Sequence, residues 1–168
     1  MPRITKKSVT CFLHHGEDYL FIHRTKKGNS VDVGRLNGIG GKLELGENFL
    51  TCAIRETQEE TGYAITPKDC HLAAVVSLEE GYLEDWIMCF FVIEVKSKDV
   101  PLGLENDEGS LMWLHKDEVL TSGYELVDDL NYCWDQITEG PWPFFAAAIL
   151  NENEKITNWQ LTGPTVKT

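Results

Sequence analysis

Apolar and polar residues alternate with a period of two in several short stretches of the chain, and recur with a helical period in others. Val9 to His14 and Tyr19 to Arg24 are β-rich runs separated by His15-Gly16-Glu17-Asp18, turn chemistry that predicts a hairpin. A polar, glycine-containing loop follows Arg24. From Asn48 to Thr61 neither Gly nor Pro occurs, and Phe49, Leu50, Ala53, Ile54 and Thr57 recur at helical spacing until Gly62 supplies a stop. This predicts a helix with one apolar face. Leu72 to Leu78 and Trp86 to Val95 read as strands, the second too apolar for a solvated edge, so both are expected in the middle of a sheet.

Asp107 to Leu114 passes from an acidic loop into a strand, His115 to Leu120 reads as a short helix, and Asp128 to Thr138 as a second full helix. After Gly140-Pro141, the runs Phe144 to Leu150 and Ile156 to Leu161, joined by the turn Asn151-Glu152-Asn153-Glu154, predict a closing hairpin. Strands and helices in this order suggest an α/β fold, a mixed sheet sandwiched between helices. No repeat or linker interrupts it, so a single domain over residues 1–168 is expected, with 163–168 a polar tail.

Composition narrows the function classes. The chain has 168 residues, 42% hydrophobic and 25% charged, with no apolar run long enough for a membrane span and no secretory pattern at its start. Cys11, Cys52, Cys70, Cys89 and Cys133 show no paired spacing for zinc or dithiol chemistry and are read as free thiols in a reducing cytoplasm. A formal charge of −12 argues against stable DNA or RNA binding, which runs on Lys and Arg neutralising phosphates. A phosphate-bearing small molecule would therefore need a cation to mediate.

The chemistry concentrates in Gly40 to Tyr63. On a helix Glu59 and Glu60 lie three and four residues beyond Glu56, so three carboxylates meet within one turn. Like charges at that spacing repel unless a cation sits among them, and carboxylates without nearby Cys or His select a hard ion, Mg²⁺ or Mn²⁺. A solvated acidic face would be the plain alternative. Against it stand the glycine pair just before the segment, Glu47 near the helix start, and Gly62 immediately after the acidic turn.

Together these residues resemble the box of the Nudix hydrolases, G-x5-E-x7-R-E-U-x-E-E-x-G-U with U a bulky apolar residue: Gly41, Glu47, Arg55, Glu56, Glu59, Glu60 and Gly62 are all in register. Thr57 and Tyr63 depart from the apolar positions, which touches packing and not metal chemistry. The resemblance implies a pyrophosphohydrolase whose ions are held by Glu56, Glu59, Glu60 and the carbonyl of Gly40, with Glu47 and Arg55 as a supporting, orienting pair. Such ions neutralise the diphosphate, polarise phosphorus and lower the pKa of the attacking water. A carboxylate takes the proton, Glu56 or Glu108. Glu108, in the acidic loop Glu105-Asn106-Asp107-Glu108, stands at the spacing from Trp113 at which the family carries a further active-site Glu, as metal ligand or base. Arg24 and Lys42 are the candidate phosphate-binding cations, with a strand-end ion pair and a surface lysine as the alternatives.

The substrate must be read outside the box. Gly34 to Lys42 resembles the approach to the box in MutT-type oxidised-purine nucleoside triphosphatases, where the Asn, here Asn37, contacts the base. Asp128 and Asp129 stand where relatives use paired aspartates to read a purine edge. Asn37-Gly38 reads equally as a turn and Asp128 as a helix N-cap. Leu36, Val31 and Leu126 replace aromatics that relatives set against the base, leaving Trp86, Trp134, Trp142 or Trp159 to supply a stacking face or simply to fill the core. The resemblance implies Mg²⁺-dependent cleavage of a purine nucleoside triphosphate, such as 8-oxo-dGTP, to the monophosphate and pyrophosphate. Nucleoside diphosphate sugars and ADP-ribose are the runner-up substrates, and a non-catalytic nucleotide sensor is the reading expected of a broken box, whereas this box keeps every glutamate. Monomer and homodimer are both compatible with the sequence.

Overall fold

The computed structural model describes residues 2–25 and 32–164, so Val31 and most of the expected tail lie outside it. Among the described residues nine strands join in one mixed sheet, in the order β3-β2-β1-β6-β5-β8-β9, with β4 added to β1 and β7 to β2. They are β1 (Thr5–His15), β2 (Asp18–Arg24), β3 (Leu36–Asn37), β4 (Ile39–Lys42), β5 (Cys70–Glu80), β6 (Asp85–Glu94), β7 (Gly109–His115), β8 (Phe144–Leu150) and β9 (Ile156–Thr162). The expected hairpins β1–β2 and β8–β9 are present, and β5 and β6 lie inside the sheet.

Strand β1 is forked. Its end, Leu13 to His15, pairs antiparallel with β2, whereas Ser8 to Cys11 pair antiparallel with β4. The length from Thr5 to His14 runs parallel to β6. Period-two alternation then sends Val9, Cys11 and Leu13 of β1 with Cys89, Phe91 and Ile93 of β6 to one face, and Phe12 with Phe90 and Val92 to the other. Each fully buried side chain of this size stabilises the fold by about 1.5–3 kcal/mol, so both faces demand cover.

Helix α1 (Phe49–Thr61) covers the first face through Cys52 and Ala53, and α2 (Leu130–Glu139) covers the second through Leu130, Cys133, Trp134 and Ile137. The sheet is thus held between helices. A capping box starts α1: the Asn48 Oδ1 accepts from the Thr51 N–H at 2.9 Å and Thr51 Oγ1 accepts from the Asn48 N–H at 3.1 Å. Gly62 stops it at φ 80°, a left-handed conformation that glycine adopts without strain. Thr57 is fully buried on the core side, and the Tyr63 hydroxyl reaches the surface to donate to the Ser97 carbonyl at 2.7 Å.

Three expectations shift. The short helix after β7 is a 3₁₀ turn over Lys116–Thr121, and α2 begins at Leu130 instead of Asp128. The glycine-rich approach to the box, expected as loop, forms β3 and β4. Gly40 presses against β1 so closely that a Cβ there would lie 2.0 Å from the Val9 carbonyl oxygen. Backbone contact of that kind admits only glycine.

Candidate functional site

The acidic turn of α1 is organised by one arginine. Arg55 binds Glu47 in a two-pronged pair, Nε to Oε1 at 2.5 Å and Nη2 to Oε2 at 2.9 Å, and its Nη1 reaches Glu56 Oε1 at 2.8 Å and Glu59 Oε2 at 3.1 Å. Nη2 also donates to the Lys42 carbonyl at 3.2 Å, tying β4 to the helix. The guanidinium holds the Glu47 carboxyl down at about 2, helped by the Glu44 N–H, while these acidic partners raise Arg55 itself. Glu47 and Arg55 are therefore joined as expected. Gly41 completes the arrangement, since a Cβ on it would stand 2.4 Å from Glu56 Oε1. Its lack of a side chain lets the Glu56 carboxyl lie against β4.

Three carboxyls then influence one another: Glu56, Glu60 and Glu108. Burial pushes Glu60 up to about 8, with the charges of Glu108 and Glu56 adding to the effect and Arg24 and the Gly40 N–H opposing it. Burial raises Glu56 as well, against the pull of Arg55. Glu108 comes from the loop before β7, where Asn106 Oδ1 accepts from the N–H groups of Glu108 and Gly109 at 2.9 and 3.1 Å, and its carboxylate pairs with Arg24 at the end of β2. Glu59 stands apart, 59% exposed on its side chain and in contact with Arg55.

A cavity of about 900 Å³ opens beside this cluster. Its lining includes Glu56, Glu108, Arg24, Lys42, Gly40 and Gly41 and also Asn37, Asp129, Asp32, Tyr82, Trp86 and Val127. The Lys42 ammonium lies over the Trp86 ring at 5.5 Å. Asn37 keeps its Oδ1 on the Gly38 N–H at 2.8 Å, so it forms the expected turn bond and still faces the cavity. Asp129 is buried and pushed up to about 7 by desolvation first and the charge of Asp32 second.

The expected aspartate pair is split. Asp128 turns toward the closing hairpin, where it accepts from the Ile156 N–H at 2.7 Å and from Asn131 at 3.2 Å, and so does not share the cavity with Asp129. Neither residue caps α2 through its side chain: the capping position falls on Asp129, which already has helical dihedrals and makes no such bond. Consecutive residues at a helix start point in different directions, and that geometry separates the two. Leu36 and Leu126 are buried and bridged to each other instead of facing a base. Of the four tryptophans, Trp86 reaches the cavity, Trp134 is core, Trp142 donates to the Gln136 carbonyl and Trp159 packs on Tyr132. Sequence reasoning missed Asp32 and Tyr82, which carry no motif and meet only through tertiary contact.

Comparison with known proteins decides the family. The model of the NUDIX domain matches residues 5–132. The chain belongs to the Nudix family. Solved structures share its fold: the mutator MutT protein of Bacillus halodurans (TM-score 0.76, 20% identity, 93% of this chain and 97% of that one), the MutT protein of Methanosarcina mazei (0.66, 20%, 83% and 99%), and a bifunctional NMN adenylyltransferase/ADP ribose pyrophosphatase of Francisella tularensis in complex with AMP and a manganese ion (0.61, 16%, 81% and 43%). As a Nudix protein the chain is a pyrophosphohydrolase, and proteins of this family generally use divalent metals such as Mg²⁺ or Mn²⁺.

The Nudix carboxylates of this chain fit such an ion. Among the described residues no three His, Cys, Asp or Glu side chains are gathered closely enough to hold a metal ion, and Arg24 and Arg55 pair with Glu108 and Glu56. Yet Glu60 Oε2 is buried without a hydrogen-bond partner among them, beside two further carboxyls. A buried carboxylate oxygen left unpaired is costly, and a hard cation relieves both that cost and the mutual repulsion. Among the described residues no helix is long and apolar enough to cross a membrane.

Proposed function

We propose that this Nudix enzyme hydrolyses a purine nucleoside triphosphate, oxidised forms such as 8-oxo-dGTP included, to the monophosphate and pyrophosphate. The observation that carries the reading is one cavity lined both by Glu56 and Glu108 with Arg24 and Lys42 and by Asn37, Asp129 and Trp86. The first set suits a polyphosphate and the second a flat heterocycle with polar edges.

Glu56, Glu59, Glu60 and Glu108, with the Gly40 carbonyl, would hold Mg²⁺ or Mn²⁺, which would supply charge neutralisation at the phosphates and an acidified water. Arg55 fixes Glu56, and Glu47 fixes Arg55. Arg24 and Lys42 meet the phosphate oxygens from the cavity wall. Glu56 is committed to Arg55 and packed against Gly41, whereas Glu108 is half-exposed and paired through Oε2 alone among the described residues, so Glu108 Oε1 takes the proton of the attacking water. Trp86 offers a ring face to the base, and Asn37 and Asp129 offer polar contacts to its edge.

The test is incubation with Mg²⁺ and a panel of nucleoside triphosphates, their 8-oxo forms, ADP-ribose and nucleoside diphosphate sugars, with detection of pyrophosphate, phosphate and monophosphates. Purine triphosphates are expected to give monophosphate and pyrophosphate. Turnover confined to ADP-ribose or the sugars overturns the assignment in favour of those substrates.

A further inference from the structure

Asp32 is the feature of the cavity that the box and its approach do not account for. It precedes β3 and lies partly buried in the cavity wall with Asp129 and Tyr82. Tyr82, from the turn between β5 and β6, donates its hydroxyl to Asp32 Oδ1 at 3.4 Å, and Arg35 Nη1 stands 3.8 Å from the same oxygen. Arg35 is itself braced by Glu154 at 2.5 Å, in the β8–β9 turn, and by Glu125 at 3.3 Å. Tyr82 and Arg35 therefore approach one carboxyl in the cavity wall, and Arg35 is in turn held by two further segments. Among the described residues its side-chain partners all sit on Oδ1, which leaves Oδ2 for a ligand. The charge of Asp32 is also the largest electrostatic influence on Asp129. The companion that Asp129 lacks in Asp128 is supplied by a residue from far away in the chain.

We propose that Asp32 is a specificity-determining residue which, with Asp129, forms a two-carboxyl edge that selects a guanine-type base, one presenting adjacent amino and ring N–H donors, over an adenine-type base. This rests on the assignment of a purine nucleoside triphosphate to the cavity. Above about pH 7, where Asp129 gives up its proton, both carboxylates only accept hydrogen bonds. A guanine edge meets them with two neighbouring donors, whereas an adenine edge sets a ring nitrogen acceptor against them. Two acceptors face to face leave a buried polar group unpaired, the situation that discriminates most sharply between ligands. The Tyr82 hydroxyl fixes Asp32 Oδ1 and so directs Oδ2 to the base.

The experiment measures kcat and KM of the Mg²⁺-loaded full chain for dGTP, 8-oxo-dGTP and dATP in wild type, Asp32→Asn and Tyr82→Phe. Asp32→Asn is expected to lower kcat/KM for the two guanine nucleotides at least about tenfold, mainly through KM, and to raise it for dATP, since the amide can donate to the adenine ring nitrogen. Tyr82→Phe keeps the ring and should lower the guanine-to-adenine ratio about two- to fivefold even if Asp32→Asn fails to fold. A ratio unchanged in both variants, or an equal loss for all three nucleotides, overturns the role of Asp32. Wild type that turns over none of the three overturns the purine triphosphate assignment instead, an outcome distinct from the first.

Discussion

At the scale of single residues, the site is governed by carboxyl groups whose surroundings oppose their charge. Asp129 is the clearest, because its folded-state value of about 7 lies above the usual 3.8. Between those values the folded protein keeps a proton that the unfolded chain has released, so this group's contribution to stability falls as pH rises through the window and is flat above it. Asp129→Asn removes the effect. Thermal melts are expected to show the variant gaining on wild type by about 2–3 kcal/mol between pH 5 and pH 8; a pH-independent difference would show that burial of Asp129 is uncoupled from its proton. The same variant should lose discrimination between purines, as should Asn37→Ala, since both remove edge contacts and leave the acidic cluster intact. Replacing Glu59 or Glu60 by Gln is expected to lower kcat by orders of magnitude with the fold retained, measured by pyrophosphate release beside circular dichroism.

At the scale of elements, α1 is joined to β4 through contacts that leave no slack. Gly41→Ala places a methyl within 2.4 Å of Glu56 Oε1, so the carboxyl must move. A fall in kcat of at least about tenfold is expected, with KM altered much less and the melting temperature within a few degrees of wild type. Full activity would show that Glu56 works equally well displaced. How far the sequence discloses these elements follows from what specifies them. Helix α1 was legible because its signals are local: Asn48 at the start, apolar spacing along the face, Gly62 at the stop. Strands β3 and β4 were hidden, since Gly38, Gly40 and Gly41 read as loop until β1 is placed against them. The start of α2 was misplaced by two residues, and with it the pairing of Asp128 to Asp129, because both aspartates suit a helix start and only the bond to Ile156 separates them. Asp32, Tyr82 and Trp86 were invisible as a group for the same reason: their proximity belongs to the sheet, and no local spacing encodes it.

At the scale of the whole molecule, a formal charge of −12 is concentrated in part around a cavity assigned to a polyanion. A divalent cation bound there would contribute to stability as well as to catalysis. With the ion at about a hundredfold excess over its dissociation constant, the native state gains about 2.7 kcal/mol, or roughly 5–10 °C in melting temperature for a chain of this length. Wild type is expected to show that rise on adding Mg²⁺ in differential scanning calorimetry and to lose it in excess EDTA, whereas Glu60→Gln should respond only weakly. An equal response in the two proteins would place the stabilising ion elsewhere.

The fork in β1 has a consequence for how such a molecule can change over generations. Because Leu13 to His15 are satisfied by β2 and Ser8 to Cys11 by β4, each branch is anchored on its own, and Asp32 to Arg35 precede β3 outside both pairings. A residue such as Asp32 can therefore be exchanged without shifting the strand against which Gly40 and Gly41 hold the acidic turn. Recognition of the leaving groups and cleavage of the bond between them are thereby heritable as separate traits. A lineage can try new substrates while the machinery that cuts them stays untouched.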